Sequence, residues 1–243
     1  MTEATTGMTS ENIASFHLIR YGTARAMRYM AFDRPVLRAT AGLAFWRLMG
    51  TGRGRAMSLG ADLRRWALFA VWRREADLES FLASSPVSAR WRREAEESWH
   101  VRLAPIVSRG GWGGVDPLPG PHAHPAGEPG GPVAVLTRAS IRPSRLVAFY
   151  RAVPDVDRLL AHQHDCLASV GVGEWPLARQ ATFSLWRDAG AVRRFAYAQG
   201  EHTRVIERVR AERWYSEELF ARFRPLAVEG TWNGHDPLKG TLD

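Results

Sequence analysis

The sequence is poor in the residues that support several common kinds of site. It contains one cysteine, Cys166, so it can form neither an internal disulfide nor a cysteine cage around zinc or an iron–sulfur cluster. A single free thiol is typical of proteins from reducing compartments, and we expect a cytoplasmic location, with peripheral contact to a membrane left open. Lys239 is the only lysine, so nearly all of the basic charge comes from arginine.

Long apolar runs are also missing. No stretch approaches the roughly 18 apolar residues that cross a membrane as a helix. The first fourteen residues lack the apolar centre of a signal peptide, and we expect residues 1–14 to form a disordered tail. The net charge is +8, but the arginines alternate with acidic residues, as in residues 92–97. A nucleic-acid partner would require them on one element, so we expect no such partner.

Two distant stretches of the chain align without gaps. Residues 103–118 read LAPIVSRGGWGGVDPL, and residues 223–238 read FRPLAVEGTWNGHDPL. Their agreement predicts two copies of one unit, over residues 15–118 and 133–238, joined by a linker rich in glycine and proline at 119–132. We expect the shared tails to brace the two units. Asp116 and Asp236 precede proline, which favours a role in turns over a role in catalysis.

The same order of elements is predicted in both units. In the first, Phe16–Tyr21 and Arg65–Trp72 read as strands, and Pro35 is expected to end a helix that begins at Ala24. The resulting strand–helix–strand–strand–helix–strand order is ferredoxin-like, and its bare sheet face needs a cover. The predicted fold class is therefore α+β, with tandem ferredoxin-like repeats that form an internal dimeric α+β barrel, a pseudo-dimer.

Paired glycines recur in the two units, at residues 50–52 and 171–173. Neither pair continues into the glycine pattern of a dinucleotide site or a Walker A loop, so neither predicts a phosphate loop. We expect them to match each other and to mark the turn between the middle strands.

Histidine is the residue type most able to serve as base or metal ligand. His122 with His124, and His162 with His164, could each form part of a metal site, although both pairs lack a third ligand. On a strand, the second pair would share one face. We expect the remaining first-unit histidines and the tail histidine to be packed, rim or turn residues: His17, His100 and His235.

His202 differs because it occurs in the second unit only. It shares a predicted helix face with Val205, Ile206 and Val209, and the corresponding stretch of the first unit, residues 84–91, has no histidine. This asymmetry indicates one site per chain. A partly exposed histidine near a helix start is the alternative, and both interpretations stay open.

Several long motifs resemble a known family. Residues 183–188 (FSLWRD), residues 200–210, residues 217–223 and the tail at residues 230–238 are similar to spheroidene monooxygenases, the acyclic-carotenoid 2-ketolases. The resemblance covers nearly the whole chain after the N-terminal tail. It implies oxygen-dependent oxidation of a long apolar substrate, with haem of the b type as the cofactor.

The resemblance also implies roles for particular residues. His202 matches the axial ligand of the haem iron, with Glu201 or a backbone carbonyl as partner of its other ring nitrogen. Opposite the iron we expect Gln180, Thr182 and Ser184, facing into the barrel, and Arg138, which could pair with a haem propionate or steady bound oxygen. Gln180, Ser184 and Arg138 are the predicted catalytic residues. A polar strand face turned to solvent is the alternative.

The expected function is a haem-dependent monooxygenase acting on an apolar substrate, either carotenoid-like or a natural product. Two alternatives remain at this point. One is a haem enzyme of another class, such as an aldoxime-type dehydratase or an enzyme of nitrogen–oxygen chemistry. The other is a non-catalytic module that binds haem or a small ligand. The expected partners are a small apolar substrate and an electron donor of unknown kind, and the chain could be a monomer or a homodimer.

Overall fold

The barrel at the centre of the molecule is built from eight antiparallel strands. The computed structural model describes residues 12–52, 60–120, 131–151, 160, 162–175, 179–197 and 212–242. The strands close in the order β1-β3-β2-β6-β7-β5-β8-β4. The expected α+β barrel is thus confirmed. The strands are β1 (Ile13–Tyr21), β2 (Leu43–Gly52), β3 (Ala61–Trp72), β4 (Ala95–Gly110), β5 (Val133–Ile141), β6 (Cys166–Trp175), β7 (Arg179–Trp186) and β8 (Tyr215–Gly230).

Helices lie between the strands. The described ones are a 3-10 turn (Ala24–Arg28) that leads into α1 (Tyr29–Ala39), then α2 (Glu75–Ser84), α3 (Pro86–Glu94), a 3-10 turn (Pro143–Arg145) that leads into helical residues 146–151, and α4 (Ala189–Tyr197). Pro86 separates α2 from α3, because it occupies the first turn of α3 while the Ser85 hydroxyl accepts from the Val87 N–H at 3.2 Å.

Pro35 does not end the first helix, contrary to the prediction. It lies inside α1 on the exposed side, together with Ala31, four residues before it. A proline removes the hydrogen bond to the carbonyl four residues back. Because that carbonyl belongs to an exposed residue, water can satisfy it, and the helix continues to Ala39.

The two halves of the barrel, β1–β4 and β5–β8, have matching pairings. The strand order is β4-β1-β3-β2 in the first half and β8-β5-β7-β6 in the second. Ile13 opposes Trp72 in the first half, and Val133 opposes Trp186 in the second. The halves join along two seams, a long β4–β8 ladder and a short β2–β6 ladder. The matched registers allow each position of one half to be compared with its counterpart in the other.

The paired glycines lie inside strands at the β2–β6 seam, not in turns. Gly50 opposes Gly173 there. A Cβ on Gly173 would approach the Arg179 carbonyl oxygen to 3.1 Å, which explains the small residue. The ladders to β3 and β7 also correct the predicted alignment, since Gly50 opposes Trp66 while Gly173 opposes Gln180. The counterpart of Gly50 is therefore Gly173 and not Gly171.

The interior of the barrel is a packed apolar core to which all eight strands contribute. At its centre the rings of Phe16 and Phe183, one from each half, stack with centroids 3.9 Å apart and planes 5° apart. Both side chains are fully buried. A core of this kind fixes the two halves against each other and leaves no interior space for a ligand the size of a polyene or a macrocycle.

The two repeated tails each reach across to the opposite half. Trp112 donates from its Nε1 to Glu174 of β6 at 2.7 Å, and Trp232 packs on Trp99 of β4 with centroids 5.3 Å apart. Asp116 and Asp236 each accept the N–H two residues later, at 3.0 and 2.9 Å. The predicted bracing and turn roles are both confirmed.

None of the helices in the described residues is long and apolar enough to cross a membrane.

Replacing Phe183 with alanine should lower the free energy of unfolding by about 3–5 kcal/mol, because it opens a cavity against Phe16 in the core. Equilibrium denaturation with urea measures this loss. Phe32→Ala is the matched control, since Phe32 is 60% exposed and should change stability by less than about 0.5 kcal/mol. Equal effects of the two substitutions would contradict the central position of Phe183.

Candidate functional site

Side chains of β7 alternate between the barrel interior and its outer, helix-bearing face. Ala181, Phe183 and Leu185 belong to the interior core. Gln180, Thr182 and Ser184 therefore point outward. This corrects the expectation that these three residues face into the barrel, because the interior positions of the strand are the apolar ones.

The outward residues of β7 have specific partners. Gln180 is hydrogen-bonded to the hydroxyl of Tyr150, whose pKa is raised by burial in spite of this bond. Ser184 accepts a hydrogen bond from Trp186 Nε1 at 2.9 Å. Because a hydroxyl can accept and donate at once, the Ser184 proton is still available to a group in front of the sheet.

Arg138 lies on the opposite side of the sheet from Gln180 and Ser184. It is 2% exposed, donates from Nη1 to the Glu217 carboxylate, and donates from Nη2 to Ser140 Oγ at 2.7 Å. Burial raises the pKa of Glu217, but the N–H groups of Gly114 and Gly113 and the Arg138 guanidinium outweigh it, so the pKa lies below its usual value. The structure thus separates Arg138 from the other two predicted catalytic residues and gives it an ion-pair partner.

The outer faces of the two halves differ sharply in side-chain size. In the first half this face packs under α1, α2 and α3 in one buried apolar cluster. Towards one end of the second half the outer face is likewise apolar, since Trp186 is the counterpart of Trp72 and packs in a smaller buried cluster under α4. At six other positions the counterparts are small or polar. Through the strand registers, the pairs from the first and second halves are Ile19/Ala139, His17/Thr137, Trp46/Ser169, Leu48/Gly171, Trp66/Gln180 and Leu68/Thr182.

Two residues at the centre of this second outer face are more exposed than their counterparts in the first half. Thr137 is exposed and its β7 neighbour Thr182 is half-buried, whereas their counterparts His17 and Leu68 are each 1% exposed. Beside Thr137 on β8 lies Phe220, which is 37% exposed. The face therefore combines hydroxyl groups, an accessible aromatic ring and missing bulk, which together suit a flat apolar ligand with a few polar groups.

An arginine with no acidic partner among the described residues lies beside these exposed positions. Arg222 is on the same face of β8 as Phe220, and its Nε is buried with no hydrogen-bond partner among the described residues. Burial lowers the pKa of Arg222, and so do the neighbouring cations Arg193 and Arg109. An uncompensated cation of this kind favours a carboxylate or another anion in front of it.

His17 and His100 form a packed pair on the outer face of the first half, in agreement with their predicted role. Their Nδ1 atoms are 2.9 Å apart, and His17 Nε2 lies 2.8 Å from Ser15 Oγ. Burial, and then His100, lowers the pKa of His17 well below its usual value, while burial lowers the pKa of His100 to about 4. Both rings are therefore neutral at pH 7, and Trp91 covers them.

The other histidines provide no metal site in the described part of the chain. His162 and His164 lie exposed in a turn before β6, not on a strand, so they do not share a strand face. His235 is an exposed turn residue, as expected. No group of three or more potential ligands occurs among the described residues. His122, His124, Glu201 and His202 lie outside them.

The sequence comparison of the units missed the outer face of the second half. Aligning Trp66–Trp72 with Gln180–Trp186 already places glutamine opposite tryptophan and threonine opposite leucine. That loss of bulk was the available signal. The sequence did not show which way these side chains point, because the alternation of a strand alone does not say which of its two faces packs on the core.

Relatives of known name share most of the chain. It is 37% identical over 231 residues to the spheroidene monooxygenase of Rhodobacter capsulatus, which covers 93% of this chain and 95% of the relative. The chain belongs to the spheroidene monooxygenase family. The spheroidene monooxygenase of Rubrivivax gelatinosus is 38% identical over 208 residues, covering 85% of this chain and 78% of that protein. The shared name indicates a monooxygenase, and hence an oxidoreductase. No family model matches the sequence.

Solved structures show the same fold at low sequence identity. A crystal structure of aldoxime dehydratase superposes with a TM-score of 0.57 at 14% identity, over 88% of this chain and 81% of that one. Another, aldoxime dehydratase (OxdRE) with butyraldoxime, has a TM-score of 0.56 at 12% identity, over 93% and 84%. At this level of identity the likeness establishes the barrel fold and not the reaction.

Glu217→Gln should cost about 3–5 kcal/mol of unfolding free energy, because it leaves the buried charge of Arg138 without a counter-charge. Glu97→Gln is the matched control. Glu97 likewise accepts a hydrogen bond from the N–H of Gly234 in the second tail, at 2.6 Å. Its ion pair with Arg65 is longer, at 3.7 Å, and the Arg65 side chain is 12% exposed, whereas that of Arg138 is 2% exposed. Denaturant titration of both variants should show the larger loss for Glu217→Gln, and equal losses would contradict this role of Arg138.

Proposed function

We propose that the chain is a haem-dependent monooxygenase of a long apolar, carotenoid-like substrate, and that haem and substrate meet on the outer face of β5–β8. The family supports the monooxygenase reaction, and spheroidene in the names of the relatives supports an apolar polyene as substrate. The observation that carries the location is the replacement of bulky side chains by small ones, as in Leu68/Thr182 and Trp66/Gln180, in the second half only.

Space is the first argument for this location. The barrel interior is filled by its own core, and the outer face of β1–β4 is filled by side chains packed under α1, α2 and α3. A macrocycle as wide as haem needs a broad flat wall with few projecting groups. Among the described residues, the face that carries Gly171, Thr182 and Thr137 supplies such a wall.

The chemistry of the lining is the second argument. The ring of Phe220 offers an apolar surface, and Arg222 offers a cation near the edge of the same face. Haem of the b type has an apolar ring and two carboxylates, so an exposed aromatic side chain and an uncompensated guanidinium fit it. Arg222 thereby replaces Arg138 as the proposed partner of a propionate, because Arg138 already pairs with Glu217 inside the barrel.

Four residues have a proposed task. His202 would hold the haem iron through its imidazole, with Glu201 as a candidate partner of the second ring nitrogen. Ser184, which accepts a hydrogen bond from Trp186, would donate a hydrogen bond from its hydroxyl to a polar group in front of β7. Gln180, which is hydrogen-bonded to Tyr150, would donate from its amide N–H to the same group. The bound haem supplies the oxygen chemistry, while the protein orients the substrate and excludes water.

The matching halves support a further structural proposal. Both halves have the same strand order, and the register of the β5–β7 ladder matches that of the β1–β3 ladder. Both tails contain Asp-Pro-Leu. We propose that the chain is a tandem of two ferredoxin-like units, in which the first unit is filled and serves as scaffold. The second unit, with its smaller side chains, would be the one that binds.

Purified protein reconstituted with haem should show a Soret absorption band, and His202→Ala should lose or shift it, because the iron would lose its protein ligand. His235→Ala is the matched control, since His235 is an exposed turn residue, and it should keep the spectrum of the parent. A parent protein without a Soret band after haem addition would refute the haem proposal. An unchanged band in His202→Ala would refute the ligand assignment alone.

Turnover by the reconstituted enzyme should require both oxygen and a reductant, as a monooxygenase reaction does. Activity that survives without oxygen would instead favour dehydration at haem, the alternative suggested by the fold shared with aldoxime dehydratase. The fold likeness by itself does not decide between them.

Thr182→Leu should weaken haem binding at least roughly tenfold, because it restores the bulk of its counterpart Leu68 at the centre of the face. Thr182→Val, which keeps the side-chain volume and removes only the hydroxyl, should bind haem within a few-fold of the parent. Haem titration followed by absorbance measures both. If valine weakens binding as much as leucine does, or if leucine binds normally, the proposed wall is not where the haem lies.

A further inference from the structure

The water-facing side of α1 and of the 3-10 turn before it is apolar. Phe32 is 60% exposed and Met27 is 46% exposed, the former being the most exposed large aromatic side chain among the described residues. Ala31, Pro35 and Ala39 are exposed on the same side of the helix. A helix on the surface of a globular protein normally turns polar residues to water and apolar ones to the core. This helix departs from that pattern on its outer side.

Positive charge borders this apolar strip. Arg25, Arg28, Arg34 and Arg38 are all exposed within this 3-10 turn and helix, residues 24–39. The acidic residue of the segment, Asp33, is turned to the core, 3% exposed, and paired with Arg90 of α3. The strip and its border therefore present apolar groups and cations to the outside, without an exposed carboxylate of their own.

Acidic groups from the neighbouring elements do not cancel this charge. Glu94, at the end of α3, accepts a hydrogen bond from the Tyr29 hydroxyl and is paired with Arg93. Glu96, at the start of β4, is paired with Arg64 and lies within 3.9 Å of Arg20. Each of these carboxylates has a cationic partner outside the segment, and Glu94 also attracts Arg28. Four arginines against these two shared carboxylates leave an excess of positive charge on this side.

We propose that this surface, defined by Met27, Ala31, Phe32, Pro35 and Ala39 with the four bordering arginines, docks the protein on an anionic phospholipid membrane. Apolar side chains that enter the headgroup region, flanked by arginines that meet lipid phosphates, are the signature of a helix lying in the membrane interface. The surface belongs to the first half of the barrel, whereas the proposed haem face belongs to the second, so this proposal stands without the proposed function.

The full-length protein should sediment with vesicles of phosphatidylcholine mixed with phosphatidylglycerol, at least roughly tenfold more strongly than with vesicles of phosphatidylcholine alone, because each arginine near an anionic surface contributes to binding. Phe32→Ser should lower the partition coefficient on the anionic vesicles by roughly tenfold, since an aromatic side chain leaves the lipid. Arg34→Gln with Arg38→Gln should lower it by a similar factor and reduce its dependence on salt.

Leu226→Ser is the matched control, because Leu226 is 39% exposed on β8, away from this surface, and should bind vesicles like the parent. The control separates the proposed surface from the general attraction of a protein with a net charge of +8. Phe32→Ser binding as tightly as the parent would overturn the proposal. Equal binding to anionic and neutral vesicles would also overturn it. If the parent does not bind vesicles and Phe32→Ser lowers its molecular mass in solution, the surface instead contacts a second copy of the chain.

Discussion

The β4–β8 ladder is the contact on which the rest of the structure depends. Eleven residues of β4, from Trp99 to Gly110, pair with β8 and close the barrel together with the short seam at Gly50 and Gly173. Closure commits one face of every strand to a single interior. That interior is filled from both halves, with Phe16 against Phe183 at its centre.

Two half-buried carboxylates hold the tails in a symmetric way, whereas the outer faces break the symmetry. Glu97 and Glu217 occupy corresponding positions, and each accepts N–H groups of the tail from the other half. Among the described residues, the outer face of β1–β4 is filled under α1 to α3, whereas six positions of the second outer face carry smaller or more polar side chains. A duplicated scaffold of this kind can keep its stability in the matched contacts and lose side-chain volume on one face without disturbing the core.

Much of the fold could be predicted from the sequence. The apolar run at Arg65–Trp72 predicted a strand, and the repeated Trp-x-Gly-x-Asp-Pro-Leu tail predicted two related halves. The wrong predictions concerned local features whose conformation depends on their surroundings in the folded protein. Pro35 is tolerated in α1 because its side faces water. The paired glycines lie in a strand seam, and at Gly173 a Cβ would meet the Arg179 carbonyl oxygen of β7.

The sequence by itself determined the family, the absence of a disulfide framework and the residue types available for a site. The tertiary structure decided which of those residues share a face. Arg138 and Gln180 are both polar residues on neighbouring strands, yet one lies inside the barrel and the other outside, because β5 and β7 oppose Arg138 with Ala181 and Ala139 with Gln180. Side-chain direction in a sheet depends on register, and register is fixed only by pairing with distant strands.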